Sequence, residues 1–330
     1  MSDPSSLVAD ENISDHPAVK AWQRAQGAGL IPSRIEALKT KKKSQVFKLH
    51  GVGGGGAAVF AKRCWLETAC LERVIYEDVL PYWGLPTGRF YGFAEEDSDM
   101  GWLLVEDVGD QEYSPAVKEH RTAVAEWLGK LHSIPVGSEL EARLPDRGPA
   151  CFRERMVQAL IAIEESRANP SLGAGHWEVL SAITRRCQTI DAHWDEIAEF
   201  CSRTPRTVVH GDLAGKHLRI SAGKTGLVFQ TFDWEHAGIG LPGTDLQHFH
   251  DQWTDTEIRL YWSVMKIQYP SLQLEDIHQM ASMGLLFRLL AATRWASTRL
   301  SYVSVYKGVE QMRAYDGMLS EIIRKAGWGD

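Results

Sequence analysis

Two acidic residues, each set at the end of a short apolar run, are the side chains of this chain best placed for chemistry. In Val208-Val209-His210-Gly211-Asp212-Leu213-Ala214-Gly215-Lys216-His217-Leu218-Arg219-Ile220 an apolar strand delivers His-Gly-Asp into a loop, and a second short strand leaves from His217. Further on, Thr231-Phe232-Asp233-Trp234-Glu235 closes a strand that starts at Gly226. Acids at the ends of neighbouring strands converge on one place. Phosphoryl transfer needs that arrangement: one carboxylate orients and deprotonates a hydroxyl, and another holds Mg²⁺ on the phosphates. Either acid alone reads as a turn or cap residue; the pair is what points to chemistry.

The elements that must position this pair fall into two kinds. Between residues 33 and 108 the pattern is strand-like at 34–38, 45–52, 57–63, 90–94 and 102–106, with one helix at 66–82 and a polar turn at 95–101 that makes a hairpin of the last two strands. After Gly109 amphipathic helical patterns dominate, at 120–132, 153–167, 176–200, 257–267, 272–300 and 302–325, broken by a strand-like island at 207–232. The expected fold is α+β, with residues 1–16 a flexible tail, 17–107 a sheet-rich N-terminal lobe and 108–330 a helical C-terminal lobe. Clefts between lobes are preferred ligand sites.

The 330 residues are 44% hydrophobic and 24% charged, enough apolar material for a sizeable core. Lys and Arg number 36 against 43 Asp and Glu, a formal charge of -7, which argues against nucleic acid or an anionic membrane as partner and suits a neutral or cationic small molecule. No stretch reaches the roughly 20 apolar residues of a membrane span. The polar, acidic start has no signal-peptide pattern. Cys64, Cys70, Cys151, Cys187 and Cys201 are odd in number and scattered, the pattern of thiols in a reducing cytoplasm rather than of disulfides or a zinc site.

The His210–Ile220 run resembles the Brenner-type motif of the aminoglycoside phosphotransferase and choline kinase branch of the protein-kinase-like fold. The Asp233-Trp234-Glu235 element and Gly238-Ile239-Gly240-Leu241-Pro242-Gly243-Thr244-Asp245-Leu246, similar to that family's Gly-x-Pro-x-x-Asp-Leu stretch, follow in the same order. The resemblance implies a bilobal fold with a five-stranded antiparallel N-lobe sheet plus one helix. It makes Asp212 the catalytic base and Asp233 the Mg²⁺ ligand, and it makes Lys62 the lysine of the α- and β-phosphates. Glu72 then holds Lys62 in place, with Glu77 as the competing partner. Leu103–Val108 resembles the hinge whose backbone receives adenine, which nominates Glu106 and Val108. Trp127–His132 is similar to the helix that precedes the catalytic region.

The run Gly51-Val52-Gly53-Gly54-Gly55-Gly56 satisfies GxGxxG, yet Lys62 follows Gly56 by only six residues. At about 3.3 Å per residue this is one strand, too little for a phosphate loop before that lysine. The glycines are therefore assigned to the turn between the second and third strands. The phosphate loop is expected at Lys39-Thr40-Lys41-Lys42-Lys43-Ser44, where Lys43 and Ser44 are the nominated contacts; the competing reading is a solvated basic turn.

One position departs from the family: His217 stands where a metal-binding Asn is expected. Imidazole suits softer ions than Mg²⁺, such as Mn²⁺ or Zn²⁺. Three outcomes are open: His217 ligates a metal, it hydrogen-bonds the Asp212 loop and leaves one metal site empty, or the protein is catalytically weak. His210 is a candidate for electrostatic work whose role in this fold is to brace the catalytic loop. Lys216 either reaches the transferring phosphoryl group or points to solvent, and Glu235 is a supporting carboxylate. His248 and His250 read as packing rather than zinc ligands. Asp251, Asp255 and Glu257 either receive an amine-bearing acceptor or begin a solvated helix.

The resulting expectation is a cytoplasmic enzyme that uses ATP, or GTP in its place, with Mg²⁺ or Mn²⁺, to phosphorylate a hydroxyl of a small molecule of aminoglycoside, sugar or amino-alcohol type. The first alternative is a nucleotide-binding pseudokinase or scaffold whose metal binding is weakened by His217. A protein kinase is the second, opposed by the short stretch between Asp233 and Asp245, which leaves little room for an activation loop.

Overall fold

The computed structural model describes residues 6–7, 13–27, 29–41, 44–223, 226–301 and 305–329. In chain order the first elements are β1 (Ser6–Leu7), α1 (Pro17–Gln26), β2 (Arg34–Lys41), β3 (Ser44–His50), β4 (Val59–Trp65), α2 (Leu66–Val74), β5 (Phe90–Glu95), β6 (Met100–Glu106) and α3 (Lys118–His132). Then come α4 (Ser138–Arg143), β7 (Asp146–Arg147), α5 (Pro149–Glu165), α6 (Ala174–Ala192), α7 (Trp194–Arg203), β8 (Thr207–Val209), β9 (Leu218–Gly223), β10 (Gly226–Thr231) and β11 (Gly238–Gly240). Four helices close the chain: α8 (Gly243–Leu246), α9 (Asp255–Gln268), α10 (Leu274–Ser297) and α11 (Tyr306–Ala326). They belong to two compact units. One comprises Met1–Leu131, Ala142–Leu144 and Asp212–Ala237; the other His132–Glu141, Pro145–Gly211 and Gly238–Asp330.

The first unit is built on an antiparallel sheet in the order β1-β2-β3-β4-β6-β5. Five of these strands are those read from the sequence; β1, in the segment expected to be a tail, adds two residues to the edge at β2. The alternation of β3 and β4 sorts their side chains onto two faces. Phe47, Leu49, Val59 and Ala61 go to one face, where they pack with Ala18, Val19, Ala21 and Trp22 of α1. That helix lies outside the elements read from the sequence, although its punctuation is present. Pro17 opens it, the His16 ring accepts from the Ala18 N–H at 3.2 Å, and Gly27 at φ +84° ends it. On the other face Cys64 and Leu103 pack with Ala69 of α2. The helix expected to run on to residue 82 gives way to a π-helical turn at Ile75–Val79. Gly51–Gly56 lie in the connection between β3 and β4, where Gly51, Gly55 and Gly56 take positive φ.

The hairpin of β9 and β10 belongs to this first unit. It carries the loop that begins at Asp212 on one side and Asp233 on the other. The second unit is mostly helical, with a core that includes Phe152, Ile183, Phe287 and Met312. The pattern at 176–200 is divided at His193 (φ -104°, ψ 19°), which ends α6 and starts α7. The His193 Nδ1 lies 2.7 Å from Glu196 Oε1, its ring stacks on Trp328, and the break turns Trp194 into the core. Strand β11 runs antiparallel to β8 and parallel to β7. Among the described residues no helix is long and apolar enough to cross a membrane.

The short helix α8 is seated on α10 by a glycine pair. A Cβ on Gly284 would stand 1.7 Å from the carbonyl oxygen of Gly243, and one on Gly243 would stand 1.9 Å from that of Met280. Backbone meets backbone here, so no side chain can give way. We expect Gly284→Ala to lower stability by about 3 kcal/mol, the upper range for overpacking a tight core, read as a fall in the urea midpoint. A wild-type midpoint would show that the two helices separate at little cost.

Candidate active site

Lys62, on β4, is the centre of a buried charge cluster. Its Nζ donates to Glu72 Oε1 of α2 at 2.5 Å and also to Asp233 Oδ1. Burial alone would lower the lysine pKa, but the charges of Glu72 and Asp233 outweigh it and hold the ammonium protonated. Burial pushes the Glu72 carboxyl up to about 7 against the pull of Lys62. The Asp233 carboxyl goes the other way: burial would raise it, but the charge and hydrogen bond of Lys62, then the charges of His217 and Lys39, bring it down to about 2. Glu77, the rival partner, is exposed and bonds Arg73 Nε at 2.7 Å.

Asp233 stands on unusual backbone. At φ 68° it is the one non-glycine residue with positive φ among those described. Asp tolerates this region better than most residues, but such conformations cost about 1–3 kcal/mol and concentrate at functional sites. The twist falls two residues past the end of β10 and delivers the carboxylate to Lys62.

His217 links the two acids. Its Nδ1 lies 2.9 Å from the carbonyl oxygen of Asp212, which can only accept, so Nδ1 carries a proton. Its Nε2 lies 3.4 Å from Asp233 Oδ2, and Nδ1 is 3.7 Å from Asp212 Oδ2. The ring is almost fully buried, with Phe232 edge-on to it. The Asp212 carboxylate itself is about one-third exposed (35%).

In the second unit a different acid fixes the two residues that precede Asp212 in the chain. Asp245 of α8, fully buried, accepts from the N–H groups of His210 at 2.7 Å and Gly211 at 2.8 Å. His132 Nε2 lies 3.3 Å from the same carboxylate, and His132 Nδ1 is 2.8 Å from the Tyr261 hydroxyl. A carboxylate only accepts, so His132 Nε2 carries a proton and donates to Asp245. Burial would raise the Asp245 pKa, but the His132 hydrogen bond and charge, with His210, hold it below the ordinary carboxylate value. Gly211 (φ +81°) supplies the left-handed turn that lets both N–H groups face the acid. Sequence reading placed Asp245 in the buttress stretch but did not find His132 and Tyr261 as its partners.

The remaining candidates are dispersed. Lys43 lies outside the described residues; Ser44 is half-buried, its Oγ without a hydrogen-bond partner among them. The Glu106 carboxylate accepts the Arg89 N–H at 3.1 Å, and Val108 is half-buried. A Cβ on Gly88 would fall 2.7 Å from Val108 and 3.0 Å from the Glu106 carbonyl, so this approach requires glycine. The segment is further tied by the Lys48–Asp107 ion pair at 2.5 Å, which sequence reading missed. Lys216 and Glu235 are exposed, and His210 is fully buried. His250 meets His278 at 2.8 Å rather than a metal-like cluster. Asp255 pairs with Arg259, and Glu257 closes a capping box with Thr254, so both serve the start of α9.

Among solved structures, aminoglycoside 2'-phosphotransferase-IIIa in its GDP complex is similar at 14% identity, covering 90% of this chain and 97% of that one, with a TM-score of 0.60. A spectinomycin phosphotransferase with ADP and spectinomycin matches at 10% identity, 91% and 95% coverage and a TM-score of 0.60. Choline kinase from Cryptosporidium parvum matches at 14% identity, 89% and 90% coverage and a TM-score of 0.56. At these identities the likeness speaks for a shared fold, that of the kinase-like phosphotransferases. No curated protein matches the chain by sequence. Residues 78–267, more than half of the chain, match the phosphotransferase enzyme family, and the chain belongs to it.

The stability that Asp245 supplies as a carboxylate is complete above about pH 4, the ordinary carboxylate value, and is lost as pH falls through its lowered pKa. Asp245→Asn should lose about 3 kcal/mol at neutral pH, because an amide nitrogen must face a buried donor. It should also flatten the acid limb of stability against pH. Urea unfolding at several pH values reads both; an acid limb as steep as that of wild type would mean that other carboxylates control it.

Proposed function

We propose that this phosphotransferase moves the terminal phosphoryl group of ATP, or of GTP in its place, to a hydroxyl of a small molecule. Asp212 orients that hydroxyl and takes its proton; Lys62, steadied by Glu72, binds the α- and β-phosphates. The observation that carries this reading is the unbroken line of contacts from Glu72 through Lys62, Asp233 and His217 to Asp212. It joins a phosphate-binding cation, a carboxylate for a metal and a carboxylate for a proton within one unit of the chain. Segment 106–108, where the Glu106 carboxylate accepts the Arg89 N–H, lies on the same unit and is assigned to adenine by its resemblance to the family's hinge.

The donor set suits a divalent cation. With its Nδ1 proton committed to a carbonyl, His217 turns Nε2 toward the Asp233 carboxylate, so two ligand atoms face one small space. Among the described residues no group of three or more His, Cys, Asp or Glu is arranged around a metal position. Mg²⁺ in phosphotransferases is commonly held by one or two protein groups and completed by phosphates and water, so a two-residue set fits it, and the imidazole favours Mn²⁺. When bound, the ion neutralises charge on the phosphates. The fold relatives bound to spectinomycin or named as choline kinase favour an acceptor of the aminoglycoside, sugar or amino-alcohol type. Five free cysteines suit a cytoplasmic setting.

Phosphate transfer from ATP across those acceptor types, run with Mg²⁺ and with Mn²⁺, tests the reading. Turnover is expected on one class. Asp212→Ala should cut it by about a hundredfold or more while ATP affinity stays near wild type, and His217→Asn should shift activity toward Mg²⁺. ATP binding with no transfer under either metal would favour the nucleotide-binding scaffold. Loss of nucleotide binding in Asp212→Ala would count against its role as base.

A further inference from the structure

The geometry points to Lys39 as a second phosphate-binding cation, turned onto the face of Lys62 by a β-bulge at Leu38. This rests on the nucleotide reading above. Along β2, Ile35 and Ala37 are buried against the α1 face with Phe47 and Leu49. Under strict alternation Lys39 would follow them to that buried face. It does not, because the pairing shifts between Ala37 and Lys39: Ala37 stands opposite Phe47, but Lys39 stands opposite Val46. Leu38 is the extra residue, 42% exposed. Bulges of this kind re-aim side chains and are frequent beside active sites.

The shift sets up a cross-strand row. Lys39 pairs with Val46, and Val46 pairs with Lys62, so the two lysines lie on the same face with one strand between them. Neighbouring strands are about 4.8 Å apart, which puts their backbones about 10 Å apart, a span that two lysine side chains close on a single polyphosphate. Lys41 and Ser44 pair at the end of the same two strands, and the Ser44 Oγ is buried without a partner among the described residues. Lys39 is exposed and has no ion pair with a described residue. An exposed cation on the same sheet face as Lys62, one strand away from it, is placed for the outer phosphates of a nucleoside triphosphate.

Calorimetric titration of ATP and adenosine into wild type, Lys39→Met, Lys39→Arg and Lys62→Met provides the test, and it needs no acceptor. Lys39→Met should weaken ATP by about tenfold, the worth of one charged hydrogen bond, leave adenosine unchanged, and be largely rescued in Lys39→Arg. Circular dichroism of Lys39→Met should match wild type, since the side chain is exposed. ATP affinity unchanged in Lys39→Met while Lys62→Met loses it would overturn this proposal alone. Equal weakening of ATP and adenosine would also overturn it, as a structural effect. If wild type binds no ATP, the nucleotide reading fails and this inference with it.

Discussion

One ammonium group holds this site together. Lys62 satisfies Glu72 on one side and Asp233 on the other, and those acids come from elements far apart in sequence. Two carboxylates this close, Glu72 buried and Asp233 half-buried, would repel, and each would bear a cost of leaving water. The shared cation makes both tolerable. The burden is uneven: the Asp233 carboxyl is held at about 2, whereas Glu72 rises to about 7. Asp233 therefore keeps its charge across the physiological range, as the metal-binding role proposed for it requires.

Much of the first unit serves that contact. The alternation of β4 sends Lys62 away from the α1 core, and the packing of Ala69 against Cys64 and Leu103 brings α2 close enough for Glu72 to reach it. The Asp233 backbone is held at positive φ to turn its carboxylate inward. That strain is local, and the ion pair and the His217 contact are what hold it in place. In the second unit a buried carboxylate does the fixing: Asp245, joined to His132 and through it to Tyr261, holds the His210 and Gly211 amides, and the Gly243–Gly284 approach seats the helix that bears Asp245.

How much of this is legible in the sequence depends on the range of the interaction. The phosphotransferase family and the five-strand sheet with a helical remainder were readable, because the motif around Asp212 and Asp233 is compact and strand periodicity is local. Helix α1 was not, since its apolar stripe is only four residues and its Pro17 and Gly27 signals are weak alone. Choosing Glu72 over Glu77 needed the course of α2 into its π-helical turn, which no periodicity predicts. His132 and Tyr261 are separated by 129 positions and meet only through tertiary packing. The bulge at Leu38 is a matter of pairing between strands, and composition at that position carries no sign of it.

If Glu72 serves the nucleotide through Lys62, a double-mutant cycle on ADP affinity shows it. Calorimetry of wild type, Glu72→Gln, Lys62→Met and the double variant isolates the coupling between the two without requiring an acceptor or turnover. Glu72→Gln should weaken ADP binding in the wild-type background and change nothing further once Lys62 is gone. Losses that simply add in the double variant would contradict it, because Glu72 would then reach the nucleotide site by a route that does not pass through the lysine.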